Sequence, residues 1–424
     1  MSDTANSSEE KWVTSWTGSM QGPYPIGNPS AQPDLRSAFP SAETGARDQS
    51  FRLIVRPGLW GRQARLRFSN ALGTRPVTFD GVHVGLQQGA ATVVPGSNQP
   101  VSFAGRRAMT VAPGMSVWSD PVGLPFVDDR ASPGLFGRRL AVSFHIAGDS
   151  GPMTWHAKAL TTSYLTAPGA GAKGAAEDEA DFRFTTASWY FLDALDMLAP
   201  ADARAIVALG DSITDGTAST INGDDRWPDV LARRLHAVHG NRIAVVNAGI
   251  GGNQVVGPTH YPPPLPFPGG PSARQRLERD ILSLSGVAAV VWLEGINDFS
   301  LNGKATVAAV EAAMRDIVGR VRARFEGVHI IGATLTSALG CTNPNHGSAE
   351  EDEKRRALND FIRSGGLFDG VADFDAVTLD PATGELRPEF VPDSTTGGPG
   401  DKIHPNRVGY LAMGMAIDLA LLAP

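Results

Sequence analysis

The chain has almost no cysteine, no long apolar run and no excess of positive charge. Of its 424 residues, Cys341 is the single cysteine. An intrachain disulfide is excluded, and a zinc site could draw on one thiolate at most. Lys and Arg number 37 against 44 Asp and Glu, for a formal net charge of −7. Nucleic acids and anionic membranes are bound through a basic face, so neither is an expected partner. No apolar stretch is long enough to span a bilayer. The most apolar segment, GYLAMGMAIDLALLAP, reads as a packed terminal helix. The opening MSDTANSSEEKW lacks the basic and apolar regions of a signal peptide. That leaves two compartments open, the cytosol or an exported location after a presequence has been trimmed.

What is present is enough hydrophobic sequence, 42%, for two or three packed domains. The rhythm changes near residue 200, so a division into 1–200 and 201–424 is expected. Before it, SFRLIVRPG, RQARLRFSNALG, VHVGLQQG, RRAMTVAPG and RRLAVSFHIAG are short β-type runs closed by Gly or Pro. DFRFTTASWYFLDAL adds a further strand. This spacing predicts an all-β sandwich or jelly roll. The Gly/Ala-rich residues 167–181 read as a surface loop.

After residue 200, apolar runs alternate with amphipathic stretches. AIVALG, RIAVVNAGI, VAAVVWLEG, VHIIGATL and VADFD read as strands. RWPDVLARRLHAV reads as a helix with Trp227, Val230, Leu231, Leu235 and Val238 on one stripe. ARQRLERDILSL aligns Leu277, Ile281 and Leu284, and TVAAVEAAMRDIVGRVRARF aligns Val307, Val310, Met314, Ile317 and Val321. Residues 349–363 and the tail complete the helices. The alternation predicts an α/β fold, a flavodoxin-like parallel five-stranded sheet with helices on both faces. In such sheets, sites lie beyond the carboxyl ends of the strands.

The tripeptide Gly-Asp-Ser occurs twice, at 148–150 and 210–212. Around Ser150 the residues are turn formers, and neither upstream histidine, His83 or His145, sits in a protease-like setting, so AGDSGP reads as a turn. Ser212 follows the first α/β strand. A serine hydroxyl needs a base, and the base an orienting acid. Of the nine histidines, His236 and His239 lack a third metal-ligand partner, and His156 and His329 read as structural. His404 lies in GDKIHPNRVGY, three residues after Asp401 and just before a helix, where an acid and a base can share one loop. Acyl transfer also needs donors for the developing oxyanion. NAGIGGNQ supplies glycines at 249, 251 and 252 at a second strand end, and EGIND supplies the amide of Asn297 at a third.

These four blocks, GDSITDG, NAGIGGN, GIND and DKIH, resemble in order those of the SGNH, or GDSL-type, serine hydrolase superfamily over roughly residues 204–424. WVTSWTGS, RLRFSNALGTRPV, WSDPV and TWHAKALTTSY look like the leading β-sandwich domain of a bacterial two-domain branch of it. The resemblance implies Ser212 as nucleophile, His404 as base and Asp401 as its acid. It also implies an oxyanion hole from Ser212, Gly252 and Asn297, and no metal or cofactor. The Pro-rich residues 257–272 and the loop SALGCTNPNHGSAEEDE leave the same sheet edge and are expected to wall a pocket. Asp211, Asn253, His260, Tyr261 and Phe267 are the expected substrate contacts. The expected partner is a small-molecule or glycan ester, short-acyl by preference. A lipase, a thioesterase and a glycan-binding protein with an inactive hydrolase half stay open.

Overall fold

The computed structural model describes residues 9–128, 132–261 and 267–422. Up to residue 200 the chain is almost wholly antiparallel β-structure. Among the described residues there, one four-residue helical turn at Ser132–Leu135 is the exception. The principal strands are β1 (Glu10–Thr17), β2 (Arg47–Val55), β3 (Gln63–Ser69), β4 (Val77–Gly89), β5 (Leu140–Asp149), β6 (Thr154–His156) and β7 (Leu192–Pro200). β1, β7 and β3 belong to a five-stranded sheet, and β2, β5 and β4 to an eight-stranded one. Their inner faces meet through aromatic rings. Phe68 of β3 packs edge-on to Phe144 of β5 at 5.2 Å and lies 5.0 Å from Phe79 of β4. Edge-to-face packing suits the ring quadrupoles and buries large apolar area, so the sandwich coheres without disulfides. The single strand expected over DFRFTTASWYFLDAL is instead three, Phe184–Thr186, Trp189–Tyr190 and β7, which belong to three different sheets. Phe191, at φ +59°, turns the chain between the last two.

Three residues after β7 the sheet type changes. β8 (Arg204–Gly210), β9 (Ile243–Gly249), β10 (Val287–Leu293), β11 (His329–Ala333) and β12 (Gly370–Ala372) form one parallel sheet in the order β9-β8-β10-β11-β12. This is the flavodoxin-like order the apolar runs predict, with its switch point at β8, between β9 and β10. Helices α1 (Ser212–Asp215), α2 (Trp227–His239), α3 (Ala273–Leu277), α4 (Val307–Arg324), α5 (Ala349–Ser364) and α6 (Arg407–Ala416) follow the strands. α2 packs with α6, while α3, α4 and α5 make a second layer, so both faces are covered. Trp227, Val230, Leu231 and Leu235 are buried as their spacing requires, but Val238 is 65% exposed. The packed stripe stops one turn before the helix ends. VADFD is a strand only to Ala372 and then turns into a short helix capped by Asp373. α3 runs into a π-helical turn at Glu278–Leu282 instead of continuing as an α-helix.

The two halves share one apolar core and are stitched by buried polar bonds. Arg67 of β3 pairs with Asp193 of β7 at 2.6 Å and donates to Ser283 at 2.7 Å and to the Arg279 carbonyl at 3.0 Å. The Thr14 N–H of β1 donates to the Ser285 carbonyl at 2.9 Å. Beneath the strand ends lies Arg276, fully buried. Its guanidinium donates to the Gly210 carbonyl at 2.9 Å, the Ala248 carbonyl at 2.6 Å and the Asn253 Oδ1 at 2.8 Å. Asp280, 3.1 Å away, supplies a countercharge. Replacing Arg276 by Met would remove the guanidinium donor from two strand-end carbonyls, of which Gly210 keeps the Ile250 N–H, and leave Asp280 with Arg279 as its remaining arginine partner. Urea unfolding should show a loss of ~3–5 kcal/mol, the scale for breaking a buried pair; a loss under ~1 kcal/mol would contradict this role.

Candidate active site

Each strand end contributes one polar feature, and local backbone chemistry fixes where it points. β8 ends at Gly210, and Asp211 then caps α1, its Oδ1 accepting from the Ile213 N–H at 2.9 Å. Gly216 closes that short helix at φ +107°, against the Arg226 side chain, where a Cβ would collide. Capping by the aspartate leaves the Ser212 hydroxyl free. It lies 2.7 Å from His404 Nε2. His404 Nδ1 lies 2.5 Å from Asp401 Oδ2, while Asp401 Oδ1 accepts the Ile403 and His404 N–H groups at 3.1 and 3.0 Å. Burial alone would raise the Asp401 pKa, but the hydrogen bonds and charge of His404 outweigh it and hold the carboxyl far below its ordinary value. With Asp401 ionised, Nδ1 of His404 carries the proton and Nε2 faces the serine as an acceptor.

Ser212, His404, Gly252 and Asn297 line one cavity of about 330 Å³. Gly252 sits at φ +82°, a left-handed conformation that favours glycine. Asn297 Nδ2 donates to the Asn253 carbonyl at 3.0 Å, which fixes the amide plane. Asp401 supports the cavity from behind His404. The expected substrate contacts divide. Phe267 lines an adjoining cavity with Asn297 and His346. Asp211 and Asn253 do not reach either wall. Asp211 is 1% exposed, and the Asn253 amide faces inward, donating to the Gly269 and Pro271 carbonyls and accepting from Arg276. Tyr261 lines a different groove, beside Arg67 and Trp118, and His260 is exposed on the same loop. Residues 262–266 of that loop lie outside the described residues. The loop after β11 does wall the cavity, through Asn343 and His346, with His346 held by Glu351 at 2.6 Å.

Four cavity residues, Asn28, Pro29, Ser30 and Lys158, come from the β half and were not singled out by the sequence. Lys158 is 4% exposed and bonds the Thr217 hydroxyl. Burial pushes its ammonium pKa down against the opposing pull of Asp215, Asp401 and Asp211. His156 is structural, as expected, yet it spans the halves, with Nδ1 on the Ser19 carbonyl at 2.7 Å and Nε2 3.1 Å from Asp215. Ser150 has no imidazole near it. Its hydroxyl donates to the Gly151 carbonyl at 2.8 Å and accepts the Ala46 N–H at 2.9 Å; where a turn was expected, Gly148 and Asp149 end strand β5 and Ser150 follows it, a structural position.

Asp211 Oδ2 is buried without a partner. Burial is the main cause that pushes its pKa up to about 8, reinforced by Glu294 and Asp298 and opposed by the Ile213 N–H. The folded value lies above the unfolded one, so its stabilising contribution is complete below pH ~4 and disappears as pH rises through the folded pKa. Asp211→Asn should therefore gain stability relative to the wild type between pH 5 and pH 9. Melting temperatures of both proteins across that range check this, and a difference independent of pH would refute it.

Residues 208–412 match the GDSL-like Lipase/Acylhydrolase family. No curated protein sequence is significantly similar. Similar solved structures include a lipase/acylhydrolase from Enterococcus faecalis (24% identity, TM-score 0.37, 50% of this chain and 92% of that one). A putative arylesterase from Agrobacterium tumefaciens is 19% identical (TM-score 0.38, 50% and 95% covered). A carbohydrate acetylesterase from Sinorhizobium meliloti is 16% identical (TM-score 0.38, 52% and 99% covered). The family match and the sheet order agree, and the α/β half of this chain carries the SGNH hydrolase fold and matches the GDSL-like lipase/acylhydrolase family over residues 208–412.

Proposed function

We propose that the protein is a serine esterase that cleaves short-acyl carboxylic esters, acetylated carbohydrates or small esters, through an acyl-enzyme on Ser212. The observation that carries this is the pair of contacts Ser212 Oγ–His404 Nε2 at 2.7 Å and His404 Nδ1–Asp401 Oδ2 at 2.5 Å. His404 takes the hydroxyl proton as Ser212 attacks the ester carbonyl. Asp401 keeps the imidazole in the required tautomer and stabilises its cation. The N–H groups of Ser212 and Gly252 and the Asn297 amide receive the oxyanion. His404 then protonates the leaving alcohol, and water, activated by the same imidazole, releases the acid.

The cavity chemistry supports a short acyl group. Asn28, Lys158, Thr217, Asn297, Asn343 and His346 dominate its wall, and Ile403 and Pro29 are the apolar exceptions. A long acyl chain gains ~0.8 kcal/mol per methylene only where it leaves water for apolar surroundings, which this wall does not offer. Amides and hydroxyls suit a hydroxylated alcohol such as a sugar.

Ser212→Ala should abolish hydrolysis of p-nitrophenyl acetate, and Ser150→Ala should retain it; the reverse would refute the assignment. Asn297→Ala should lower kcat by ~10²-fold or more, as loss of one oxyanion donor does. In an ester series, acetyl and butyryl esters should be cleaved faster than long-chain ones, with acetate released from acetylated polysaccharide. A preference for long chains at matched solubility would overturn the substrate reading.

A further inference from the structure

The peptide between Gly251 and Gly252 is held from the β half at its carbonyl, while the peptide before it is held by Asp215 of α1. The Gly251 carbonyl accepts from Asn28 Nδ2 at 3.0 Å and, more distantly, from Gln21 Nε2 at 3.4 Å. The Gly251 N–H donates to Asp215 Oδ2 at 2.9 Å, and the other oxygen of Asp215 faces His156 at 3.1 Å. Among the described residues nothing accepts the Gly252 N–H. A Cβ on Gly252 would come within 2.7 Å of Asn28 Nδ2, so the Asn28 amide lies directly over that glycine.

A trans peptide is planar, and its C=O and N–H point in opposite directions. Fixing the Gly251 carbonyl therefore fixes the direction of the Gly252 N–H in the same peptide. A hydrogen bond accepted by the carbonyl also polarises the amide and strengthens its N–H as a donor. We propose that Asn28, assisted by Gln21, is a positioning residue for the oxyanion hole, aiming the Gly252 N–H from the β half. The inference rests on the serine-esterase reading, in which that N–H meets the oxyanion. It makes the β half a component of the catalytic apparatus, in addition to any glycan it contacts.

Asn28 is the residue to test, because Gln21 also bonds the Pro268 carbonyl and the Ala157 N–H. Asn28→Leu removes the donor at similar volume, and Asn28→Asp places an acceptor against the carbonyl. In the full chain, with p-nitrophenyl acetate, both should lower kcat by ~10-fold, less than the ~10²–10³ of a deleted donor, because the N–H is misaimed and not lost. KM and the melting temperature should stay within error of the wild type. Wild-type kcat in both variants overturns the inference. So does a loss confined to KM, which would make Asn28 a substrate contact, or a loss that tracks a fall in melting temperature. Ser212→Ala is assayed in parallel. If it retains hydrolysis, the esterase reading fails and the inference falls with it; if it is inactive while the Asn28 variants are unaffected, only the inference fails.

Discussion

The guanidinium of Arg276 is the contact on which the site geometry depends. Ser212, Gly252 and Asn297 arrive on three separate strand ends, and parallel-strand hydrogen bonds stop before the loops that carry them. Something must hold those loops in register past the end of the ladder. Arg276 does so with one planar group, bonding the Gly210 carbonyl ahead of Ser212, the Ala248 carbonyl at the end of β9 and the Asn253 side chain next to Gly252. A fork of fixed donors suits this task better than a lysine would, since its angles are set by the guanidinium itself. Burial makes each bond strong and an unpaired partner expensive, so the loops have one low-energy arrangement. The π-helical turn that follows α3 occurs next to this residue, within the same segment.

The β half completes the arrangement from the other side. Only Ala201, Asp202 and Ala203 separate β7 from β8, which leaves no linker to let the halves move independently. Gln21, Asn28, His156 and Lys158 reach the loop after β9, the end of α1 and Thr217 beyond it, His156 from strand β6 and the others from loop segments of the β half. Arg67 and Thr14 tie the same sheets to the segment between α3 and β10. A detachable binding module would show a polar, weakly packed boundary. Here the apolar core runs continuously through both halves.

These long-range contacts are also where the sequence is least informative. The parallel sheet is legible because buried strands and amphipathic helices leave periodic apolar patterns, and Ser212, Gly252, Asn297, Asp401 and His404 are legible because each sits in a short block, the first three at strand ends and the last two in the loop before α6. Arg276 carries no such mark. It is the buried one of three arginines in a stretch whose leucines suggest an ordinary amphipathic helix, and its partners on the strand ends and the loop after β9 lie 23 to 66 residues away. Asn28 meets Gly251 across 223 residues. Asp211 and Asn253 mislead for the opposite reason. Being adjacent to a functional residue in sequence places them on the other side of the turn, so their side chains enter the core and not the cavity. Val238 fails more simply, since helical periodicity continues after the layer it would pack on has ended.

The two Gly-Asp-Ser tripeptides show what separates a reactive serine from a structural one. At 148–150 the serine follows strand β5, and its hydroxyl is engaged inside the β half, accepting from Ala46 across 104 residues and donating to the adjacent Gly151 carbonyl, with no imidazole bonded to it among the described residues. At 210–212 the local donor, the Ile213 N–H, is taken by the aspartate instead. With the aspartate as cap, the hydroxyl is left for an imidazole brought in from 192 residues away. The tripeptide supplies the same atoms in both places. What differs is the surroundings: one hydroxyl is consumed by backbone groups of the β half, and the other faces His404 Nε2.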